Sequence, residues 1–204
     1  KKIANTVTIG NPKLWGPLPS QKPNLYVAVT SLRVNGKVVD VYEKEFGIRS
    51  LLFDPLKGLL VNGIPVKFQG VNQHHDLGAL GAAFNLRAAE RQLEILQEMG
   101  CNAIRISHNP PAPELLDLTD RMGMLVIDEI FDSWKRKKTP LDFHLIFKDW
   151  YEPDTRSLIR RDRNHPSVIA WSFGNEVGEQ YTAEEGAAIA SVLNNIVKEE
   201  DNSR

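Results

Sequence analysis

The segment 167–177 constrains the fold more than any other part of the chain. Residues 168–173 are apolar apart from Ser172, and an amide and a carboxylate, Asn175 and Glu176, follow closely. Such a run is typical of a strand that is buried on both faces of a parallel sheet. In a β/α barrel, catalytic side chains lie at the carboxyl ends of the strands. The segment therefore predicts a parallel sheet with Glu176 at its catalytic edge, where it is a candidate general acid.

Strand-like and helix-like patterns alternate along the chain after Asp54. The predicted strands lie at 70–72, 103–106, 124–127 and 168–173, and the predicted helices follow Asn85 and Pro113 and cover 154–163 and 183–198. Asn85 is a typical N-cap residue, and Gly100 and Gly123 are typical helix stops. Repeated βα units of this kind predict a parallel sheet.

The number of βα units points to half of a barrel. A closed (β/α)8 barrel needs eight units, and residues 55–204 contain four. We therefore interpret this region as the first half of a TIM barrel within a longer enzyme, which also fits a chain that starts at Lys1 without Met. A small open doubly wound sheet is the alternative, but the glycine-rich phosphate motif expected there is absent from the sequence.

Residues 1–54 have a different pattern, in which short segments alternate apolar and polar residues. Asn35-Gly36 separates two of these segments and is a strong signal for a tight hairpin, since both positions favour a positive φ. This part predicts a few antiparallel strands, too few to close a sandwich alone. We place the domain boundary at residue 54.

Charge and composition exclude several classes of partner. The net charge is −1, which gives no electrostatic case for binding nucleic acid or an anionic membrane surface. The sequence has no membrane-spanning apolar run. The short basic run 136–138 is interpreted as a solvated loop face. The single cysteine, Cys101, excludes an internal disulfide, and the sequence leaves the compartment open among periplasmic, extracellular and cytoplasmic.

Polar side chains gather where each predicted strand ends. The four clusters lie at 72–76, 107–110, 128–129 and 175–176. Strand ends of a barrel converge on one mouth, and these imidazoles, amides and carboxylates suit a sugar, with Trp134 as a stacking platform. Glycoside hydrolysis needs two carboxylates. Glu176 is one, whereas Glu129 either belongs to the mouth or holds Arg105 in place, so we expect the second carboxylate to lie beyond residue 204.

Four blocks of this sequence resemble glycoside hydrolase family 2, the β-galactosidase, β-glucuronidase and β-mannosidase family. The blocks are 70–76, 105–110, 126–129 and 164–176, in the family's order and spacing. The resemblance implies a retaining mechanism on a (β/α)8 barrel, preceded by an immunoglobulin-like β-sandwich whose last strands correspond to residues 1–54. It further implies a β-linked saccharide substrate, and a homo-oligomer is compatible with it.

The resemblance also assigns roles to individual residues. It implies that Glu176 is the acid/base, that Asn175 binds the sugar 2-hydroxyl and that His108 and His74 bind sugar, with Asp76 in the same polar cluster. It implies that Arg105 supports a nucleophile on a later strand. The metal-dependent β-galactosidases have a Glu and a His shortly after the pair that corresponds to Asp128-Glu129, whereas this chain has 130–134 without either. We therefore expect no Mg²⁺, no other metal and no cofactor.

Several alternatives stay open at this point. The favoured substrate is a β-galactoside, and β-glucuronide and β-mannoside specificities are the alternatives. A non-catalytic carbohydrate-binding fragment and an oligomerisation piece are rival classes. Asp128 and Arg105 either form a buried structural pair or touch sugar, and His108 either binds sugar or is a satisfied core histidine.

Overall fold

The structure is a computed structural model that describes residue 4 and residues 6–204. Its strands are β1 (Tyr26–Val34), β2 (Lys37–Phe46), β3 (Leu51–Asp54), β4 (Gly58–Val61), β5 (Ile64–Pro65), β6 (Gly70–His74), β7 (Ala103–Ser107), β8 (Leu125–Glu129) and β9 (Val168–Ser172). Its α-helices are α1 (Leu86–Glu98), α2 (Pro113–Met122), α3 (Phe147–Asp162) and α4 (Glu184–Glu200). Short 3-10 helices lie at Gly78–Leu80, Phe143–Leu145 and Gly178–Tyr181.

The four strands β6, β7, β8 and β9 form one parallel sheet in that order. The helices α1, α2 and α3 connect successive strands, and α4 follows the last one. Sequence order, parallel pairing and a helix after every strand are the arrangement of the first half of a (β/α)8 barrel. This confirms the predicted fold class.

The main apolar core packs α1 and α2 onto this sheet. It is centred on Leu93, Ile104, Leu116 and Val126, which are all essentially buried. The start of α1 follows the predicted signal, because the Asn85 side chain accepts a hydrogen bond of 2.9 Å from the Ala88 amide. These helices therefore fix the strands whose carboxyl ends carry the polar residues.

The N-terminal region contains two antiparallel sheets. β1 and β2 form a hairpin whose turn residues Asn35 and Gly36 have φ values of 50° and 78°, as predicted for a tight turn. β3, β4 and β5 form a three-stranded sheet, and the predicted boundary at residue 54 falls at the end of β3. Trp15 is fully buried and its indole nitrogen donates to the Asp120 carbonyl at 2.8 Å. The N-terminal region therefore packs against the barrel.

The helix α3 begins seven residues earlier than predicted, at Phe147 instead of 154. Pro153 lies inside it, and an internal proline removes a backbone donor, which disfavours helix on sequence grounds. The side chains of Phe147 and Tyr151 stack on each other, and Phe147 also packs against Phe131. Aromatic packing therefore overrides the local signal. Within the described part of the chain, no helix has the length and apolarity needed to span a membrane.

Candidate active site

The centre of the polar cluster is the carboxylate of Glu129. β8 extends to Glu129, so Asp128 and Glu129 are neighbours within a strand and point to opposite faces of the sheet. Glu129 points toward Arg105, His108 and Ser172, and its side chain is 0% exposed. A charged group so deeply buried requires hydrogen-bonding partners.

Glu129 has those partners on the ends of the two strands that flank β8, namely β7 and β9. Its Oε2 accepts from Arg105 Nε at 2.9 Å and Nη2 at 2.5 Å, and from Ser172 Oγ at 2.6 Å. Its Oε1 lies 2.6 Å from His108 Nδ1. A carboxylate oxygen accepts hydrogen bonds, so Nδ1 of His108 is the donor in this contact. Glu129 therefore holds both Arg105 and the ring of His108.

Asn175 joins the same network from the end of β9. Its Oδ1 accepts from Arg105 Nη2 at 3.1 Å, and its Nδ2 donates to Asp132 Oδ1 at 3.0 Å. Lys138 Nζ donates to the same Asp132 oxygen at 2.7 Å and also to the main-chain carbonyl of Asn175. Asn175 is therefore fixed at its side-chain oxygen, its side-chain nitrogen and its carbonyl.

The two adjacent histidines after β6 face different surroundings. The ring of His74 meets the ring of His108 edge to face, with centroids 5.1 Å apart. His75 Nε2 lies 3.2 Å from the Ala82 carbonyl, and the ring stacks on Phe84. The strand alternation expected for adjacent residues is thus observed, and His74 is the one that joins the cluster.

Asp76 and Glu176 are the two predicted site residues that lie at its edge. Asp76 Oδ1 accepts from the Gly78 amide at 2.7 Å, so it stabilises the 3-10 turn that follows β6. Glu176 is exposed, has φ 44° and, among residues 4 and 6–204, accepts no hydrogen bond.

The stacking role predicted for Trp134 is not supported. Its side chain belongs to an apolar core and the residue is 5% exposed. The indole packs near Phe147 and Phe173, and its Nε1 donates to the Phe173 carbonyl at 2.6 Å. Little indole surface is left for a sugar ring, because the loop after β8 folds the side chain inward.

Asp128 does not pair with Arg105, contrary to one of the two alternatives. It points away from the mouth toward Asp162 and Arg161 of α3, and neither of its oxygens has a hydrogen-bond partner in the described part of the chain. Burial, followed by the nearby Asp162 carboxylate, raises the pKa of Asp128 well above its ordinary value. Asp128 therefore lies behind the sheet and Glu129 takes the position next to Arg105.

Sequence reasoning missed the loop that follows β8. Asp142 organises it by accepting from the amides of Lys138 and Thr139 at 2.7 Å and of His144 at 2.9 Å. Burial alone would raise the pKa of Asp142, but these backbone hydrogen bonds and that of the His144 side chain lower it below its ordinary range. The sequence predicts that Lys138 belongs to a solvated basic loop face, whereas its side chain is only 24% exposed and its ammonium binds Asp132. An irregular loop has no periodicity from which these contacts follow.

A cavity of about 440 Å³ lies beside the network. His108 and Asp132 line it together with Asn109, Phe143 and Arg161. A ligand that reached His108 and Asp132 would therefore also meet an aromatic ring and a guanidinium.

A separate cluster of potential metal ligands lies at the opposite end of the sheet. Oxygen and nitrogen atoms of Asp117, Asp120 and His165 lie within 4.8 Å of one another. Asp120 already accepts from the Ser167 amide at 3.0 Å and lies 2.6 Å from His165 Nδ1. These contacts account for the cluster as a structural link at the start of β9.

Comparisons with known proteins give the class of this half-barrel. Residues 55–204 match the family model described as glycosyl hydrolases family 2, TIM barrel domain, and residues 1–49 match the model described as glycosyl hydrolases family 2. The fold and the site therefore define a protein of the glycoside hydrolase class. The chain belongs to glycoside hydrolase family 2, which confirms the predicted family.

Individual relatives agree with this membership. The chain is 53% identical over 176 residues to beta-galactosidase BoGH2A of Bacteroides ovatus, covering 86% of this chain and 20% of the relative. It is 35% identical over 164 residues to the beta-glucuronidase of Streptococcus agalactiae, covering 74% of this chain and 27% of the relative. The chain thus spans about a fifth to a quarter of the length of these curated relatives.

Solved structures of the family superimpose closely on the chain. A glycosyl hydrolase family 2 member from Bacteroides cellulosilyticus gives a TM-score of 0.89 at 42% identity, over 95% of this chain and 24% of that chain. Bacteroides uniformis beta-glucuronidase 2, covalently bound to cyclophellitol-6-carboxylate aziridine, gives 0.81 at 31% identity, over 98% of this chain and 24% of that chain. The likeness covers the N-terminal strands as well as the half-barrel.

Proposed function

We propose that this chain is part of a longer retaining exo-β-glycosidase that hydrolyses terminal β-galactosides. Glu176 protonates the glycosidic oxygen as the leaving group departs. A carboxylate on a later strand, outside residues 1–204, attacks the anomeric carbon, and Glu176 then acts as the base that activates water for hydrolysis of the glycosyl intermediate. Further barrel strands would cover Glu176, whose carboxylate is exposed among the residues described.

The observation that carries this proposal is the fixed position of Asn175 next to Glu176. Arg105 and Asp132 bind the two side-chain atoms of Asn175, and buried Glu129 holds Arg105 in turn. A rigid amide at a barrel mouth suits recognition of a sugar hydroxyl, because its atoms need no reorganisation when the ligand binds. His108 and His74 extend the same surface, so we propose that they also bind sugar.

The choice of galactoside rests on the relatives. The Bacteroides ovatus relative named a beta-galactosidase is 53% identical, whereas relatives named beta-glucuronidases include the Streptococcus agalactiae protein at 35%. A β-glucuronide is therefore the second candidate. Aryl β-galactoside, β-glucuronide and β-mannoside should be compared with the complete enzyme, and preference for the glucuronide or the mannoside by more than tenfold in kcat/KM would reject the galactoside assignment.

Glu176→Gln tests the acid/base assignment in the complete enzyme. We expect kcat/KM for an aryl galactoside with a poor leaving group to fall by about 10²–10⁴-fold, because proton transfer to the leaving oxygen is lost. Glu184→Gln, at an exposed glutamate in the first turn of α4, is the matched control and should retain activity. Near wild-type turnover by Glu176→Gln would disprove the assignment, and an α-configured first product in NMR would disprove retention.

A further inference from the structure

The loop after β8 makes three hydrogen bonds to residues 173–179, the segment that contains Glu176. It does so through two main-chain carbonyls and one buried side chain of that segment. The contacts are Trp134 Nε1 to the Phe173 carbonyl at 2.6 Å, Lys138 Nζ to the Asn175 carbonyl, and the Arg136 amide to Glu179 Oε1 at 2.7 Å. The three contacts precede and follow Glu176 in sequence, so the segment is restrained on both sides of it.

The contact of Lys138 is the one nearest to Glu176. The carbonyl of Asn175 belongs to the peptide unit that ends at the Glu176 nitrogen, and a peptide unit is planar and rigid. Glu176 has φ 44°, in the left-handed region that a residue with a side chain rarely adopts. A donor that binds the Asn175 carbonyl restrains the Asn175–Glu176 peptide plane. The orientation of this plane in turn sets the direction of the Glu176 side chain.

Two neighbouring acids place Lys138 for this contact. Its amide donates to Asp142 Oδ2 at 2.7 Å, which fixes the backbone, and its ammonium lies 2.7 Å from Asp132 Oδ1. Burial would raise the pKa of Asp132, but hydrogen bonds from Lys138 and Asn175 lower it below the ordinary value. The ammonium of Lys138 therefore lies between the ionised carboxylate of Asp132 and the main-chain carbonyl of Asn175.

Resting on the proposed function, we infer that Lys138 is a positioning residue that directs the acid/base Glu176 by clamping the Asn175–Glu176 peptide unit to Asp132. Lys138 acts on the reaction through Glu176 and Asn175 and does not itself donate the proton. A side chain of equal length without a charge fills the same space but binds neither oxygen. Loss of the ammonium therefore affects above all the step that requires an accurately placed proton donor.

The leaving-group dependence of kcat/KM isolates that step. A 2,4-dinitrophenolate leaves without protonation, whereas a phenolate needs an acid, so the two substrates report on acid catalysis by their ratio. The ratio is independent of the fraction of folded enzyme, because both substrates meet the same active molecules. The complete enzyme is assayed with phenyl and 2,4-dinitrophenyl β-galactosides, or with the matching glucuronides if those are the better substrates.

We expect Lys138→Met to lower kcat/KM by about 10²-fold for the phenyl glycoside and by less than about tenfold for the dinitrophenyl glycoside. Lys138→Arg, which keeps a donor cation, should recover at least about a tenth of the wild-type value. Lys137→Met is the matched control, since Lys137 is exposed and in the described residues makes no ion pair. If Lys138→Met folds poorly, Lys138→Gln gives the same ratio of substrates.

Two results would overturn the inference. One is an equal loss on both substrates, which assigns Lys138 to general stability, and the other is behaviour of Lys138→Met like that of Lys137→Met. Glu176→Gln is assayed beside them. If Glu176→Gln shows a strong leaving-group dependence and Lys138→Met shows none, the role of Lys138 is rejected and the proposed function stands. If Glu176→Gln behaves like the wild type, the proposed function itself is rejected.

Discussion

Replacing Glu129 by Gln removes the charge at the centre of the polar network while its volume is kept. Glu129 accepts three hydrogen bonds of 2.5–2.9 Å at Oε2 from Arg105 and Ser172, and His108 lies 2.6 Å from Oε1. Gln keeps one acceptor oxygen and places an amide where the second oxygen was. The shape of the site is retained, and the change is mainly electrostatic.

The magnitude follows from these contacts. A hydrogen bond that involves a charged group contributes about 1.5–3 kcal/mol, against about 0.5–1.5 kcal/mol for a neutral one. Loss of the carboxylate charge weakens each of the four bonds by about 1 kcal/mol, or about 3–5 kcal/mol in all. Leaving the guanidinium of Arg105 without its buried counter-charge gives a similar figure of about 3–5 kcal/mol by a separate route. Both routes describe one effect, so they are not added.

The assay is differential scanning calorimetry of the complete enzyme together with kcat/KM. A loss of about 3 kcal/mol lowers the unfolding temperature of the barrel domain by roughly 6–12 °C. Glu90→Gln is the control, because Glu90 pairs with Arg87 on the exposed face of α1, where such pairs contribute about 0–1 kcal/mol. The reasoning is refuted if Glu129→Gln and Glu90→Gln unfold within about 1 °C of each other and turn over substrate equally well.

Two further predictions concern Asp128 and the adjacent histidines His74 and His75. Because the pKa of Asp128 is raised, the folded wild type keeps a proton that the unfolded chain has already released, and it loses stability as the pH rises from about 4 toward neutral. Asp128→Asn lacks this carboxyl group and should therefore gain stability relative to the wild type over the same pH range. Calorimetry across pH measures this, and a difference that is constant with pH would contradict it. His74→Ala should lower kcat/KM by about 10–100-fold, because His74 contacts His108, whereas His75→Ala should stay within about threefold. Steady-state kinetics checks this pair, and equal losses would show that both rings serve the site.

The fold was predictable because its signals are periodic or local. The helix α1 starts after Asn85, whose side chain caps it, and α2 stops at Gly123 with φ 67°, as the residue types indicated. The hairpin turn at Asn35 and Gly36 followed for the same reason. The exception, α3, begins early because aromatic packing of Phe147 outweighs the local effect of Pro153.

The site was predictable in its location but not in its contacts. Four polar clusters at strand ends had to converge once the strands were parallel, and His108, Arg105 and Asn175 do converge on Glu129 and one another. Which of Asp128 and Glu129 faced the mouth depended on where β8 ended relative to β7, and sequence alone does not give that register. The contact of Lys138 arises in an irregular loop, so no spacing rule could find it.

Two groups of residues support the turn that contains Asn175 and Glu176, namely the network around Glu129 and the loop after β8. Arg105, which Glu129 holds, binds the side-chain oxygen of Asn175 from the strands, while Lys138 binds the Asn175 carbonyl from the loop. Asp132 joins the two by accepting from Lys138 and from the side-chain nitrogen of Asn175. Glu176 follows directly and has an unfavourable φ, so its backbone position depends on neighbours that are themselves fixed. Removing either support therefore releases a different part of the turn. We expect a change at Glu129 to lower stability together with the proposed sugar binding at Asn175, whereas a change at Lys138 should first affect the proposed proton donation by Glu176.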